Sequence, residues 1–258
     1  MNTKPPKDLK EFYEKYYLRS ANIADIPKDD DFMYAQVLKQ IRPYLYPGLK
    51  VLDLGCNNGN LSLYMARAGC EVLGIDIAQN AIDAAKRSAD HYGISNAQFK
   101  RIDFLQEWNE LDVFDFVLCN HVVEHVPQDD LFVKKIALAT KPNGRLVLMT
   151  PTVYSFMYFM TKLLTGRFAF DEEVGHLRRY TRQTISSLIE GAGFHIDKVV
   201  FLDSILREWF IICKALRHFR RIWGRRYIRT AFNSVDTLLA KLFLCPATVC
   251  VHAILVNR

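Results

Sequence analysis

Val51-Leu52-Asp53-Leu54-Gly55-Cys56-Asn57-Asn58-Gly59-Asn60 decides the fold of this chain. A short apolar run ends beside an acid, turns through Gly55 and Gly59, and enters the apolar-periodic segment from Leu61 to Ala68. That order predicts a strand feeding a helix through a glycine-bearing elbow. Glycine tolerates positive φ and lets a ligand lie against bare backbone. The following helix directs its unpaired N–H groups and positive dipole end into the turn. Such an elbow either seats a nucleotide-type ligand or is a tight turn that binds nothing. A second apolar run, Val72 to Ile75, ends at Asp76, 21 residues after Gly55. An acid at that strand tip is where a doubly wound sheet reads ribose hydroxyls.

Apolar runs recur at 50–54, 71–75, 97–102, 114–118 and 145–149, with amphipathic stretches at 79–91 and 128–140. Strands alternating with helices imply an α/β fold with parallel strands and right-handed crossovers. A ligand then sits at the C-terminal strand ends, which carry Asp53, Asp76, Asp103 and the segment 119–125. The glycines do not make the G-x-G-x-x-G of a dinucleotide site, which disfavours an NAD-dependent dehydrogenase. Asp53 would repel a pyrophosphate and suits a cationic ligand.

With Asp53, Gly55 and Gly59 on three of the four positions of acid-x-Gly-x-Gly-x-Gly, the chain resembles the class I S-adenosylmethionine-dependent methyltransferases. Asn57 takes the place of the middle glycine, and Asn is well suited to replace glycine at φ > 0. The resemblance implies a doubly wound, seven-stranded Rossmann-like sheet and S-adenosylmethionine as cofactor. It places Asp76 and Ile77 at the ribose, Asp103 and Phe104 at the adenine, and Gly55, Cys56 and Asn120 at the methionine portion. Asp103 equally suits a helix N-cap. Val123-Glu124-His125-Val126 resembles the family's "V-L-E-H-V" string, with His121 facing the methyl group as first candidate for a general base. His125 is a substrate-side candidate, or a residue that merely holds its loop. Two histidines and a glutamate within five residues invite a metal reading, but they follow a strand and precede Pro127, so no metal is expected.

Lys141-Pro142-Asn143-Gly144 resembles the family's "K-P-G-G" turn, with Asn143 in a glycine's place. Tyr154 to Leu164, rich in Phe, Tyr and Met, reads as a lid for an apolar substrate or as a buried core helix. Gly175-His176-Leu177-Arg178-Arg179-Tyr180-Thr181 also resembles the family. It makes His176 a second base candidate, with Arg178 and Tyr180 beside the substrate, and Thr181 caps a helix over 181–190.

The whole chain carries a formal net charge of +6. Between Arg207 and Arg229 alone, eight basic residues face one acid. This basic, amphipathic stretch separates the expected sixth strand (195–201) from the seventh (249–256). Its apolar residues step from Ile205 through Trp209, Leu216 and Trp223, then from Ile228 through Phe232, Val235 and Leu242, as a helical pair. Basic amphipathic helices suit an anionic membrane surface, or equally RNA phosphates, or form a solvated outer face. Nucleic acid is the less favoured partner, because stacking platforms and basic grooves usually run through the active-site side too, and the fourth strand tip does not resemble the N-P-P-Y-like residues of base-modifying N-methyltransferases.

Six cysteines without metal or C-x-x-C spacing read as reduced thiols of a cytoplasmic protein. No apolar run reaches the ~18–20 residues of a membrane span. The division expected is an N-terminal helical segment (1–46), a methyltransferase core (47–201), a basic helical insertion (202–248) and a final core strand (249–258). The N-terminal aromatics Phe12, Tyr13, Tyr16 and Tyr17 are either core or a cover over the cofactor. The activity implied is O-methylation of a lipophilic or lipid-linked small molecule, such as a quinone, glycolipid or secondary metabolite. Alternatives are methylation of nucleic acid or of a small amine or sugar, and a non-catalytic binding module. The methyl acceptor and the oligomeric state are not specified by the sequence.

Overall fold

The computed structural model describes residues 9–17, 22–212, 226–242 and 245–256. Seven strands form one sheet: β1 (Lys50–Leu54), β2 (Glu71–Asp76), β3 (Ala97–Arg101), β4 (Phe114–Asn120), β5 (Thr140–Pro151), β6 (Phe194–Leu202) and β7 (Thr248–Leu255). Their order is β3-β2-β1-β4-β5-β7-β6, with β7 antiparallel to both neighbours and the first five strands parallel. This is the doubly wound sheet the sequence predicts.

Period-2 alternation sorts the strand residues onto two faces. Leu52, Leu54, Val117, Cys119, Leu146 and Leu148 pack on one side with Phe132, Val133 and Ile136 of α6 (Asp129–Ala139) and Ile185 and Ile189 of α9 (Arg182–Glu190). Val51, Val72, Phe116, Leu118, Val147 and Met149 pack on the other. They meet Leu38 and Ile41 of α2 (Ala35–Ile41) and Leu61 and Met65 of α3 (Asn60–Arg67). Buried on both faces, the inner strands β1, β2 and β4 are largely apolar and read as near-continuous runs, whereas the edge strands β3 and β6 carry exposed polar residues.

The remaining helices are α1 (Leu9–Tyr17), α4 (Gln79–Tyr92), α5 (Phe104–Glu107), α7 (Phe156–Thr165), α8 (Ala169–Val174), α10 (Ile205–Ile212) and α11 (Arg226–Lys241). Asn57 (φ 50) and Asn143 (φ 63) both adopt the left-handed conformation expected of glycine substitutes.

Two expectations change. None of α7's residues is buried, and Phe159, Leu163 and Leu164 are 59%, 67% and 76% exposed, so it is not a core helix. Of the basic insertion, Lys214 to Arg225, with Leu216, Phe219 and Trp223, lies outside the described residues. In α11 the predicted apolar stripe turns only partly inward: Ile228, Phe232 and Leu239 are half-buried, and polar residues are among the most buried. Asn233, Asp236 and Ala240 are buried, whereas Val235, Leu238 and Leu242 are exposed. The reason is Arg207 of α10, 1% exposed and in need of polar partners. Its Nε contacts Asp236 Oδ2 at 2.8 Å and its Nη2 donates to Asn233 Oδ1 at 2.6 Å, while Nη1 donates to the Phe32 carbonyl. The guanidinium lies between the rings of Phe32 and Phe232, 4.9 and 5.4 Å from their centroids. Gln36 of α2 also donates to Asp236, which docks the insertion on the N-terminal segment.

Candidate active site

The C-terminal strand ends carry two cavities that share Tyr13, Gly55, His121 and His125. The first, roughly 480 Å³, is lined by Asp53, Cys56, Asn57, Asn120, His176, Arg179, Asp203 and Arg207, among others. The second, roughly 580 Å³, is lined by Asp76, Ile77, Asp103, Phe104 and residues around Val122 and Pro127.

The second cavity has the chemistry of a nucleoside seat. Backbone N–H groups of Asn57 and Ala78 donate to Asp76, each at 3.0 Å, and fix its carboxylate at the tip of β2. Asp103 Oδ1 accepts from Leu105 and Gln106 N–H and so caps α5, which aims Phe104 into the cavity wall. Asp103 is thus a helix cap that also lines the adenine-side cavity. Gly55 (φ 68) has no room for a side chain: an added Cβ would lie 2.5 Å from Val122 Cγ2. Gly59 (φ 89) lines neither cavity and instead starts α3 against Phe99 and Ala85.

In the first cavity the buried carboxamide oxygens Asn57 Oδ1 and Asn120 Oδ1 have no hydrogen-bond partner. Beside them Asp53, 2% exposed, is held by Ser62 Oγ at 2.5 Å, and burial pushes its proton affinity up to about 7. Two orphaned acceptors and a carboxylate starved of counter-charge fit an ammonium group. The α-ammonium of a methionine portion supplies one, next to the nucleoside seat. The residues of the two cavities therefore fit the charged and nucleoside parts of S-adenosylmethionine.

His121 stands in the left-handed region (φ 56), which swings its ring off the end of β4. Its Nδ1 lies 3.1 Å from Glu124 Oε1, and 39% of the side chain is reachable by solvent through the cavity mouth. Glu124 is fully buried and also accepts from Thr150 Oγ1 at 3.1 Å. Burial opposes its ionisation, but the hydrogen bond and charge of His121 outweigh it and hold Glu124 at about 2. Desolvation by the surrounding protein lowers His121, and the Glu124 hydrogen bond and charge more than reverse this, leaving its pKa raised. The dyad leaves Nε2 to face the cavity as a proton acceptor.

His176 is buried, with Nδ1 2.7 Å from Asp171 Oδ1 and Nε2 3.8 Å from Glu124 Oε1. Asp171 is also gripped through both oxygens by Arg179. His125 Nδ1 lies 2.6 Å from Tyr13 Oη and 3.1 Å from the Gly175 carbonyl, and burial lowers its pKa. Glu124, His125 and His176 bring ligand-type atoms within 4.8 Å of one another, a cluster the expectation of no metal did not foresee.

Arg178 and Tyr180 are not brought into the site. Arg178 donates to the Val126 and Pro127 carbonyls, and Tyr180 Oη donates to Asp129. Arg179 lines the first cavity instead. Tyr180 bridges Thr152 in extended backbone, so alternate residues point to opposite sides and the predicted pair sits one register off. The lid expected at 154–164 is also displaced: α8 supplies Phe170 and Val174 to the cavity, and α7 supplies no lining residue. Tyr13 does line both cavities, so α1 covers the site.

The sheet order and the two cavities meeting at a glycine elbow define a Rossmann-like methyltransferase fold. The family model described as "Methyltransferase domain" matches residues 29–199, and the chain belongs to this family of class I S-adenosylmethionine-dependent methyltransferases. A ubiquinone biosynthesis O-methyltransferase of Azorhizobium caulinodans is 30% identical over 189 residues, covering 67% of this chain and 69% of that one. The mitochondrial ubiquinone biosynthesis O-methyltransferase of Schizosaccharomyces pombe is 41% identical over 106 residues, 41% of this chain. That match spans only 39% of the relative's own length. Among solved structures, the [4+2]-cyclase SpnF superposes with a TM-score of 0.67 at 15% identity, covering 100% of this chain and 99% of that one. Phosphoethanolamine N-methyltransferase 2 of Haemonchus contortus, bound to S-adenosyl-L-methionine, gives 0.65 at 16% identity, covering 87% and 52%. These last two likenesses are of fold.

Proposed function

We propose that this chain methylates a hydroxyl oxygen of a lipophilic, ring-bearing small molecule of the quinone type. The observation that carries the reading is the His121–Glu124 dyad at the wall shared by both cavities. S-adenosylmethionine supplies a methyl already activated on a sulfonium sulfur, so that the C–O bond forms as the C–S bond breaks and S-adenosylhomocysteine leaves. His121 Nε2 takes the acceptor's hydroxyl proton, and Glu124 stabilises the imidazolium that results. Asp76 holds the ribose, Asp53, Asn57 and Asn120 hold the ammonium, and Phe104 flanks the adenine. Positioning supplies the rest of the acceleration. The names of the curated relatives support a quinone-type acceptor.

Approach from an anionic membrane surface completes the reading. Phe156, Phe159, Leu163 and Leu164 are exposed on α7, next to Lys162 and Arg167. Apolar side chains beside cations suit a lipid interface. Among the described residues no helix is long and apolar enough to cross a membrane.

The test supplies methyl-labelled S-adenosylmethionine with a prenylated dihydroxybenzene, a glycolipid, ethanolamine and a short RNA, each with and without a chelator. The expected outcome is a methyl ether on the first, reduced roughly 10²–10⁴-fold in His121→Ala. Label on the amine or the RNA alone would overturn it. Loss of activity with chelator would show a metal requirement, for which Glu124, His125 and His176 are the candidate ligands.

A further inference from the structure

Asp203 follows the last residue of β6 and opens the connection to β7. Like His121 it is a non-glycine residue in the left-handed region, with φ 56. Non-glycine residues in this conformation are uncommon, though Asp tolerates it better than most. Asn57, His121 and Asp203 all combine it with a place on the wall of the first cavity. Asp112, Asn143 and Cys245 share the conformation and line neither cavity, so three of the six such described residues fall on this one wall, and backbone outliers at a cavity are a starting point for assigning function.

The bland roles for Asp203 are already filled. Ser204, not Asp203, receives the Leu206 N–H at the start of α10. Asp203 Oδ1 lies 3.1 Å from Arg207 Nε, but Asp236, fully buried, sits closer to the same nitrogen, and Asn233 and the Phe32 carbonyl take the other donors. Arg207 therefore has its neutralising carboxylate without Asp203. The Thr248 hydroxyl is a further partner of Asp203, and its side chain remains 21% exposed. Asp203, Asp53 and Glu208 thus stand on the wall with Arg179 and Arg207, and of these carboxylates Asp203 is the one whose guanidinium partner already has a closer, buried carboxylate in Asp236.

Sheet topology fixes where that carboxylate stands. The ends of β4 and β6 lie on the same edge, separated by β5 and β7. Three inter-strand steps put the two backbones about 14 Å apart. A ring-sized acceptor fits between a histidine reaching in from one side and an aspartate from the other.

We propose that Asp203 is a specificity-determining residue that accepts a hydrogen bond from a second donor of the methyl acceptor, a hydroxyl other than the one methylated. The assignment rests on the hydroxyl-methylating reading and narrows it. The acceptor carries two hydroxyl groups on one ring, and an anionic group in the second position is repelled. An analogue lacking the donor forgoes one charge-assisted hydrogen bond to a carboxylate that Arg207 and Thr248 only partly satisfy, which sets the discrimination.

The experiment compares kcat/KM for a prenylated phenol and for the equally prenylated benzene-1,2-diol, -1,3-diol and -1,4-diol, using methyl-labelled S-adenosylmethionine and the full chain. At least one diol is expected to exceed the phenol roughly tenfold to hundredfold, the range of one charge-assisted hydrogen bond. In Asp203→Asn that ratio falls to within about threefold of unity. Asn tolerates the left-handed backbone and can still accept from Arg207, so this variant keeps the fold, which thermal melting verifies. Asp203→Gly relieves the backbone and removes the carboxylate, and it should lose the ratio equally. A merely structural role lowers all four substrates together and leaves the ratio intact, which overturns the assignment. So does a parent enzyme that turns over the phenol as well as every diol. No turnover of any of the four, with S-adenosylmethionine still bound, overturns the hydroxyl-acceptor reading along with it.

Discussion

On the proposed reading, in which Asp53 receives the cofactor's ammonium, cofactor binding is a proton-linked event. Burial raises its pKa from the ordinary 3.8 to about 7, so at neutral pH about half of the unliganded molecules carry a proton there. An ammonium ligand binds the ionised form. The apparent dissociation constant is therefore multiplied by about two at pH 7 and by about ten at pH 6, with a further tenfold for each unit below. Binding at pH 6 should release close to one proton, and at pH 7 about half of one. The cofactor's own α-amino group is about half deprotonated by pH 8, so affinity peaks between roughly 7 and 8. Calorimetric titration with S-adenosylhomocysteine, in phosphate and in Tris at each pH, reads the proton count from the difference in heats. Asp53→Asn should bind more weakly at pH 7.5 and lose the pH dependence between 6 and 7.5. A parent protein whose affinity is flat over that range, with identical heats in both buffers, would refute the ammonium assignment.

Asp236→Ala removes the closest counter-charge of buried Arg207 and should destabilise by about 3 kcal/mol, the low end for breaking a buried pair, because Asp203 and Asn233 remain. Scanning calorimetry should show a melting temperature about 6–12 °C lower. Combining Asp236→Leu with Arg207→Met should recover most of that loss, and a double variant no better than the single one would contradict the account. Glu124→Gln should lower the proton affinity of His121, shift the rising limb of the pH–rate profile to lower pH and reduce kcat about tenfold to hundredfold. Because the folded-state pKa of Glu124 is depressed from 4.5 to about 2, its contribution to stability is full above about pH 4.5 and is lost as pH falls through 2. Thermal melts of parent and Glu124→Gln should accordingly converge between pH 4.5 and 2, and a constant gap would argue against an ionised Glu124.

The sheet was legible because its inner strands are buried on both faces, which favours apolar runs, and because Asn57 and Asn143 sit where only glycine or its nearest substitute fits. Asp53, Asp76 and His121 were legible as strand-tip residues. Sequence separation hid the rest. Asp171 pairs with His176 and Arg179 across a turn whose register decides which side chains face inward. Arg207 belongs to a stretch whose charge suggests an outward face, yet it is among the most buried side chains. Only contacts with Phe32, Asn233 and Asp236, distant along the chain, make that position tenable. Pattern reading weighs residue type and period, and neither reports a partner 29 residues away.

The strands β6 and β7 are hydrogen-bonded neighbours, so the connection between them needs only to turn back on itself. Replacing a five-residue turn by the 45 residues from Asp203 to Ala247 raises the loop-closure cost by only about 2 kcal/mol. At that junction a lineage can exchange the part of the first cavity's wall that Asp203, Arg207, Glu208 and Ala247 supply, the part proposed to meet the methyl acceptor, while leaving the glycine elbow and Asp76 untouched. Acceptor choice and cofactor use are thereby free to evolve separately, and transplanting this one connection between related enzymes is a direct route to altered selectivity.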